Sequence, residues 1–204
     1  MNLKIEKLIK QFAKLPRVGG RGGQRIVLHL LQDKTGRACA LAESLLDTVA
    51  TIKPCEICGI LTESRCSDSV SGCEFCRNSA RANGQLCIVR DLGDVWVLEK
   101  SGVFGGRYHI IGGLLSAANG ITPDDLNIEN LSSRVAEENI SEIVFALPNT
   151  VEGKTTQHYV ISRIPNPESR ITFTELASGV PLGGDLDYID DGTLSIAFGG
   201  RKTI

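Results

Sequence analysis

Two groups of residues in this 204-residue chain are spaced for chemistry. The first is Cys55-x-x-Cys58 followed, fourteen residues on, by Cys73-x-x-Cys76. Each Cys-x-x-Cys turn brings two thiolates onto one metal ion, and two such pairs complete a tetrahedral site of the zinc-ribbon kind. Four thiolates leave no coordination position for water, so the zinc this spacing implies is structural. No His-Glu-x-x-His or His-x-Glu sequence accompanies it. Cys66 lies between the pairs and is an alternative ligand, but two Cys-x-x-Cys turns preorganise the four. Cys39, on a helical pattern, and Cys87, in a strand-like run, are expected as small core residues.

The second group is "LPRVGGRGGQR", residues 15–25. Arg21 and Arg25 stand four apart and so share one face of a helix. A helix start offers unpaired N–H groups and partial positive charge to a phosphate. Contacts of this type carry no base readout, so the expected DNA binding is independent of sequence and sensitive to salt. The remaining candidates are weaker. Asp185, Asp187, Asp190 and Asp191 make an acidic cluster, either a divalent-metal or nucleotide site or, as favoured here, a solvated turn or a subunit contact. There is no Gly-x-x-x-x-Gly-Lys-Ser/Thr loop for nucleotide phosphates. His29, His109 and His158 are scattered without a nucleophile partner and are expected to be structural.

The elements that must carry these residues follow from periodicity. Leu3, Ile5, Leu8, Ile9 and Phe12 recur at helical spacing over 3–14, and Pro16 ends that helix. Ile26, Val27, Leu30 and Leu31 resume the period over 21–32, so Gly19 is left to supply the tight turn between two helices. Gly22 and Gly23 each cost about 1 kcal/mol against alanine in a helix interior, so a loose first turn is expected there. A third helix spans 36–52 with Thr35 as its N-cap. Beyond the cysteines, "LCIV" (86–89), "YHII" (108–111), "EIVFAL" (142–147) and "RITFTEL" (170–176) read as buried strands. Helical patterns at 94–101, 128–139 and 152–163 alternate with them, which argues for a mostly parallel sheet faced by helices. The tail is turn-rich and closes on a short amphipathic stretch.

Composition bounds the class. With 42% hydrophobic and 23% charged residues the chain is globular, and no apolar run is long enough to span a bilayer. The N-terminus alternates lysines with apolar residues instead of building an apolar block, so a soluble cytoplasmic protein is expected. The net charge of −2 argues against nucleic acid, but its distribution does not. Residues 1–37 hold nine Lys/Arg against Glu6 and Asp33, a basic face on an otherwise acidic protein.

These parts together resemble the RecR family of bacterial recombination mediators. The resemblance rests on "LPRVGGRGGQRIVLHLL", the paired cysteines, "GQLCIV", "SGVFGGRYHIIGGLLSAANGITPDDL", "TVEGKTTQHYV" and "GVPLGGDLDYIDDGTLSIAFGGR". It implies an α/β protein in four parts. These are a helix-hairpin-helix region (1–53), a four-cysteine zinc finger (54–84), a Toprim domain (85–176), and a C-terminal, Walker-B-like oligomerisation segment (177–204). It also implies a non-enzymatic DNA clamp, a homotetrameric ring acting with RecO and RecF to load RecA at single-strand gaps. Arg21 and Arg25 match its DNA-contacting residues, and Glu152 lies in the stretch implicated in partner binding.

The residues also speak against catalysis. A Toprim phosphotransferase holds Mg²⁺ on a glutamate after the first strand and an Asp-x-Asp after a later one. Here Arg90 occupies the first place, and Pro148-Asn149-Thr150 follows "EIVFAL". The alternative, a Mg²⁺-dependent nuclease or primase-like enzyme, would have to rely on Glu152 and the 185–191 acids.

Overall fold

A computed structural model describes residues 2–32, 36–63, 72–165, 170–181, 183 and 185–200. They form two compact units. One takes the chain up to Lys53, with Glu63; the other takes Pro54–Thr62 and the described chain from Gly72 onward.

The first unit is helical. Helix α1 (Leu3–Ala13) is capped by the Asn2 side chain, which accepts from the Lys4 amide, and α2 runs Gly19–Gln32. Gly19 has a φ of +59°, as a tight turn requires. Helix α2 thus begins two residues ahead of the sequence expectation and includes Gly22 and Gly23. The expected looseness does not hold at Gly23, which is buried against α1. A Cβ there would sit 2.9 Å from the Ile9 carbonyl oxygen and 3.0 Å from the Ala13 nitrogen. Hydrogen in place of a side chain lets the two backbones touch, and that packing outweighs helix propensity. Val27 is buried one turn on. Helix α3 (Arg37–Thr51) follows, with Gly36 at its N-cap position; the predicted cap Thr35 lies outside the described residues. None of its residues is buried, and Leu41, Leu45, Leu46 and Val49 are exposed.

In the second unit the strands alternate with helices as their pattern requires. Strands β1 (Ile52–Pro54) and β2 (Leu61–Glu63), which fall partly in the first unit, pair around the first cysteine loop, and α4 (Glu74–Arg77) carries the second. Strands β3 (Gln85–Val89), β4 (Arg107–Ile110), β5 (Glu142–Ala146) and β6 (Thr172–Glu175) form an all-parallel sheet in the order β4-β3-β5-β6. Helices α5 (Leu92–Ser101), α6 (Leu131–Glu137) and α7 (Val151–Arg163) connect them. The sheet winds outward from β3 and β5 in both directions, so a switch point lies where Val89 pairs with Ala146 and both strands end.

Period-two alternation sorts the core into two layers. Leu86, Ile88, Ile143 and Phe145 face one side, packed with Leu131, Val135 and Val160 of α6 and α7. Cys87, Val89, Tyr108, Ile110 and Ala146 face the other, where Val95 of α5 and all four paired cysteines cover them. A last helix, α8 (Asp191–Gly199), does not gather its apolar residues on one face, Ile196 standing away from Leu194 and Phe198, and buries no residue, so the amphipathic stretch expected there is not what forms.

Candidate metal centre and nucleic-acid interface

Cys55 and Cys58 lie on the loop between β1 and β2, Cys73 at the N-cap position of α4, and Cys76 inside that helix. All four are buried, and their Sγ atoms lie within 4.8 Å of one another. The Cys58–Cys73 and Cys73–Cys76 sulfur separations are 3.5 and 3.9 Å. A disulfide needs about 2.05 Å. A tetrahedron with 2.3 Å metal–sulfur bonds has sulfur–sulfur edges of about 3.8 Å. The cluster therefore has the dimensions of a metal site. Cys66 lies outside the described residues.

Local hydrogen bonds shape the cage. The Cys55 N–H donates to the Ile60 carbonyl and the Gly59 N–H to the Cys55 carbonyl, each at 2.8 Å, while the Cys73 N–H donates to Cys55 Sγ at 3.3 Å. Contact with Cys58 draws the Cys55 thiol below its ordinary value, and contact with Cys55 pushes Cys58 above it, as protons shared within a cluster dictate. Cys87 stays apart as a core residue, its thiol pushed up to about 12 by burial. Cys39 departs from expectation. It is exposed, on a helix none of whose residues is buried.

The knuckle is continuous with the sheet. Ile110 at the end of β4 donates its N–H to the Cys58 carbonyl at 2.8 Å. Gly59, at φ +78°, allows this approach, since a Cβ would lie 3.0 Å from the Ile110 carbonyl oxygen. Beside it, the Arg81 guanidinium lies 5.0 Å over the Phe75 ring and 5.7 Å over Tyr108. It donates to the Gly106 carbonyl (3.0 Å) and to Glu99 on α5 (2.6 Å), whose other oxygen accepts from the Tyr108 hydroxyl (2.7 Å). One side chain thus ties the second cysteine turn to β4 and α5. Nothing in the sequence marks Arg81, because its partners stand 18 and 25 residues away.

On the opposite face His109 is wholly buried. Its Nε2–H donates to the Asn127 carbonyl (2.7 Å), and its Nδ1 accepts from Arg134 (3.0 Å). Arg134 also donates to the Tyr108 carbonyl and pairs with Glu138, which pairs with Arg107. Burial holds the imidazole down at about 4, so it is neutral. This bears out the structural role expected of it.

On the helical unit, Arg21 and Arg25 are both exposed on α2, four residues apart. Among the described residues neither guanidinium has a hydrogen-bond or ion-pair partner. An open groove runs along α2 past Val18, Gly22, Arg25, Ile26 and His29. His29 Nε2 lies 3.3 Å from an Arg37 Nη1.

At the switch point the acids are already committed. Arg90 Nε donates to Asp91 at 2.9 Å and an Arg90 Nη lies 3.7 Å from Asp94. Asp91 caps α5 by accepting from the Gly93 and Asp94 amides, and Asp94 accepts from the Arg90 amide. Across from them Thr150 caps α7, and Glu152 is exposed in its first turn. In the tail, Asp190 caps α8, accepting from the Thr193 amide and hydroxyl. Among the described residues the four cysteines are the one group of three or more ligating side chains close enough to share a metal. No helix among them is long and apolar enough to cross a membrane.

A basic helical hairpin, a buried four-cysteine cluster and a parallel sheet whose switch-point acids are held by an arginine define a Toprim-type α/β protein preceded by a helical hairpin. Residues 84–175 match the family model for the Toprim domain, residues 5–49 that for "RecR, helix-hairpin-helix", and residues 179–202 that for "RecR, C-terminal". The chain is 44% identical over 198 residues to recombination protein RecR of Cereibacter sphaeroides, covering 97% of this chain and 96% of the relative. It is 45% identical over 200 residues to that of Maricaulis maris, covering 98% and 96%. To that of a Ruegeria species it is 43% identical over 203 residues, covering 100% and 98%. The chain belongs to the RecR family.

Proposed function

We propose that this protein is a DNA-binding clamp and adaptor of recombinational repair, and not an enzyme. The observation that carries the reading is the pair of exposed, unpartnered guanidinia of Arg21 and Arg25 on the hairpin of a chain related to recombination proteins along its whole length. Phosphates are their natural partners, and the hairpin reads no bases. As the family resemblance implies, the protein acts with RecO and RecF to promote RecA loading at single-strand gaps, in the bacterial cytoplasm. Glu152, exposed at the switch-point face, serves partner engagement there. Nuclease or primase chemistry lacks support, since Arg90 ties up Asp91 and Asp94.

Cys55, Cys58, Cys73 and Cys76 would hold one Zn²⁺ as thiolates. The ion supplies cross-linking, with no open position for substrate. The four-part division at 53/54, 84/85 and 176/177 stands as part of this reading.

The homo-oligomer, a tetrameric ring as the family resemblance implies, is supported by exposed apolar surface. Leu41, Leu45, Leu46 and Val49 of α3 are exposed, and α8 buries nothing although it leaves Ile196 and Phe198 exposed. Helices of this composition are buried in a finished assembly. A ring also places several weak basic faces around one duplex and so raises their effective concentration.

The test is to replace Arg21 and Arg25 with alanine and titrate DNA of several sequences at several salt concentrations. Binding should weaken alike on every sequence, and the salt slope should flatten by about 0.9 per lost duplex contact. Unaltered affinity and slope would return the hairpin to a plain helical turn.

A further inference from the structure

Residues Leu15-Pro16-Arg17-Val18 form the turn out of α1, closed by the Val18 N–H donating to the Leu15 carbonyl at 3.2 Å. Proline stands at the second position of this turn, and the third has a φ of +64°. That is the type II arrangement, whose third residue must take positive φ and is therefore glycine, or asparagine, by steric preference. Here it is Arg17. Among the described residues the one other non-glycine with positive φ is Asn139, at 51°. Asn139 has an ordinary explanation, since asparagine commonly follows the end of a helix in this conformation, as here after α6. Arg17 has none of that kind. It is exposed, and among the described residues it has no hydrogen-bond or ion-pair partner to repay the backbone strain. Its place is informative, however. Arg17 lines the same groove along α2 as Arg25, with Val18, Gly22 and Ile26 between them.

We infer that Arg17 is a third phosphate contact of the hairpin, kept at a position that suits glycine because its guanidinium extends the basic track of Arg21 and Arg25. The inference rests on the DNA-binding reading above and adds a residue to it. Backbone strain retained without a structural return is characteristic of a binding site. The ligand class is the phosphodiester backbone, single- or double-stranded, with no base preference.

The experiment uses the full-length protein and fluorescein-labelled duplex and single-stranded oligonucleotides of mixed sequence. Arg17→Gly removes the charge and gives the turn its preferred residue. Affinity should fall on every sequence, with a salt slope shallower by about 0.9 on duplex and about 0.7 on single strands. The melting temperature should be unchanged or higher, because glycine relieves the positive-φ strain. Arg17→Lys, which keeps the charge, should retain most of the slope. An unchanged slope in Arg17→Gly, with binding lost in the Arg21→Ala/Arg25→Ala double variant, overturns the inference and leaves the DNA reading standing. Full binding by all of these variants overturns the DNA reading itself. A lowered melting temperature in Arg17→Gly would make Arg17 a structural residue and also overturn the inference.

Discussion

Across its three helices the N-terminal unit buries Gly23 and Val27, whereas the α/β unit buries both faces of its sheet and closes one of them with cysteines. The first presents Arg21 and Arg25, without a partner among the described residues, and a helix with exposed leucines. The second pairs its charges internally, Arg81 with Glu99, Arg134 with Glu138, and Arg90 with Asp91. The contrast separates a surface kept available for partners from a scaffold whose sheet is packed on both faces. It also accounts for Asp91 and Asp94 beside β3, which Arg90 and the first amides of α5 engage. In this chain they cap helices and neutralise an arginine.

The largest effect should come from the zinc proposed for the scaffold's cysteines. The four thiols belong to the same buried layer as Val89, Tyr108 and Ala146, so losing the ion opens the sheet core as well as a loop. Cys58→Ser should reduce bound zinc to background. It should also cost a large part of the roughly 5–15 kcal/mol that stabilises a typical domain. Metal analysis and thermal unfolding of the same sample check both. Full zinc with unaltered stability would break the assignment and bring Cys66 in as a ligand.

A second test probes the scaffold's other face. His109 is neutral and about 4 in the fold, against 6.5 for a free imidazole. Between these values the unfolded chain binds a proton that the folded chain refuses. Stability therefore rises with pH across the window and is lost as pH falls from 6.5 toward 4. At about 1.36 kcal/mol per unit the loss reaches about 2 kcal/mol by pH 5. Arg134 and Glu138 face the ring with opposing effects. His109→Gln, which cannot titrate, should be less stable at pH 7 but show a flatter profile between pH 7 and 5. Parallel profiles would remove His109 as the origin. The helical unit has no buried titratable group among its described residues, so its helix signal should not follow this profile.

The scaffold's elements are legible in the sequence because each carries its own period. Four strand-like runs become four strands, and the Cys-x-x-Cys spacing marks the cage. What stays hidden are relations between distant residues. Arg81 gathers Phe75, Glu99 and Tyr108 from three elements, and no local pattern announces that. Cys39 lies in an apolar stretch that reads as core, but no residue of α3 is buried. The start of α2 departs from expectation for a related reason, since helix propensity counts two glycines as defects and cannot see α1 beside them.

That departure yields the smallest effect and the sharpest view of the helical unit. Two glycines of α2 have opposite surroundings. At Gly20 a Cβ would meet no atom within 4 Å, whereas at Gly23 it would meet the backbone of α1 at 2.9 and 3.0 Å. Backbone atoms cannot rotate aside, so Gly23→Ala must push the helices apart. A cost of about 1–3 kcal/mol is expected, the range for overpacking a close contact. Gly20→Ala restricts the unfolded chain without a clash and should stabilise by about 0.4–1 kcal/mol. Unfolding followed by the helical signal gives both values, and their opposite signs are the prediction. If Gly23→Ala were as harmless as Gly20→Ala, the two helices would be free to adjust, and the hairpin would present its arginines without a fixed spacing. If the signs differ as expected, the available surface of this unit stands on a rigid backbone contact. DNA affinity should then fall in Gly23→Ala and hold in Gly20→Ala, although neither substitution touches a charge.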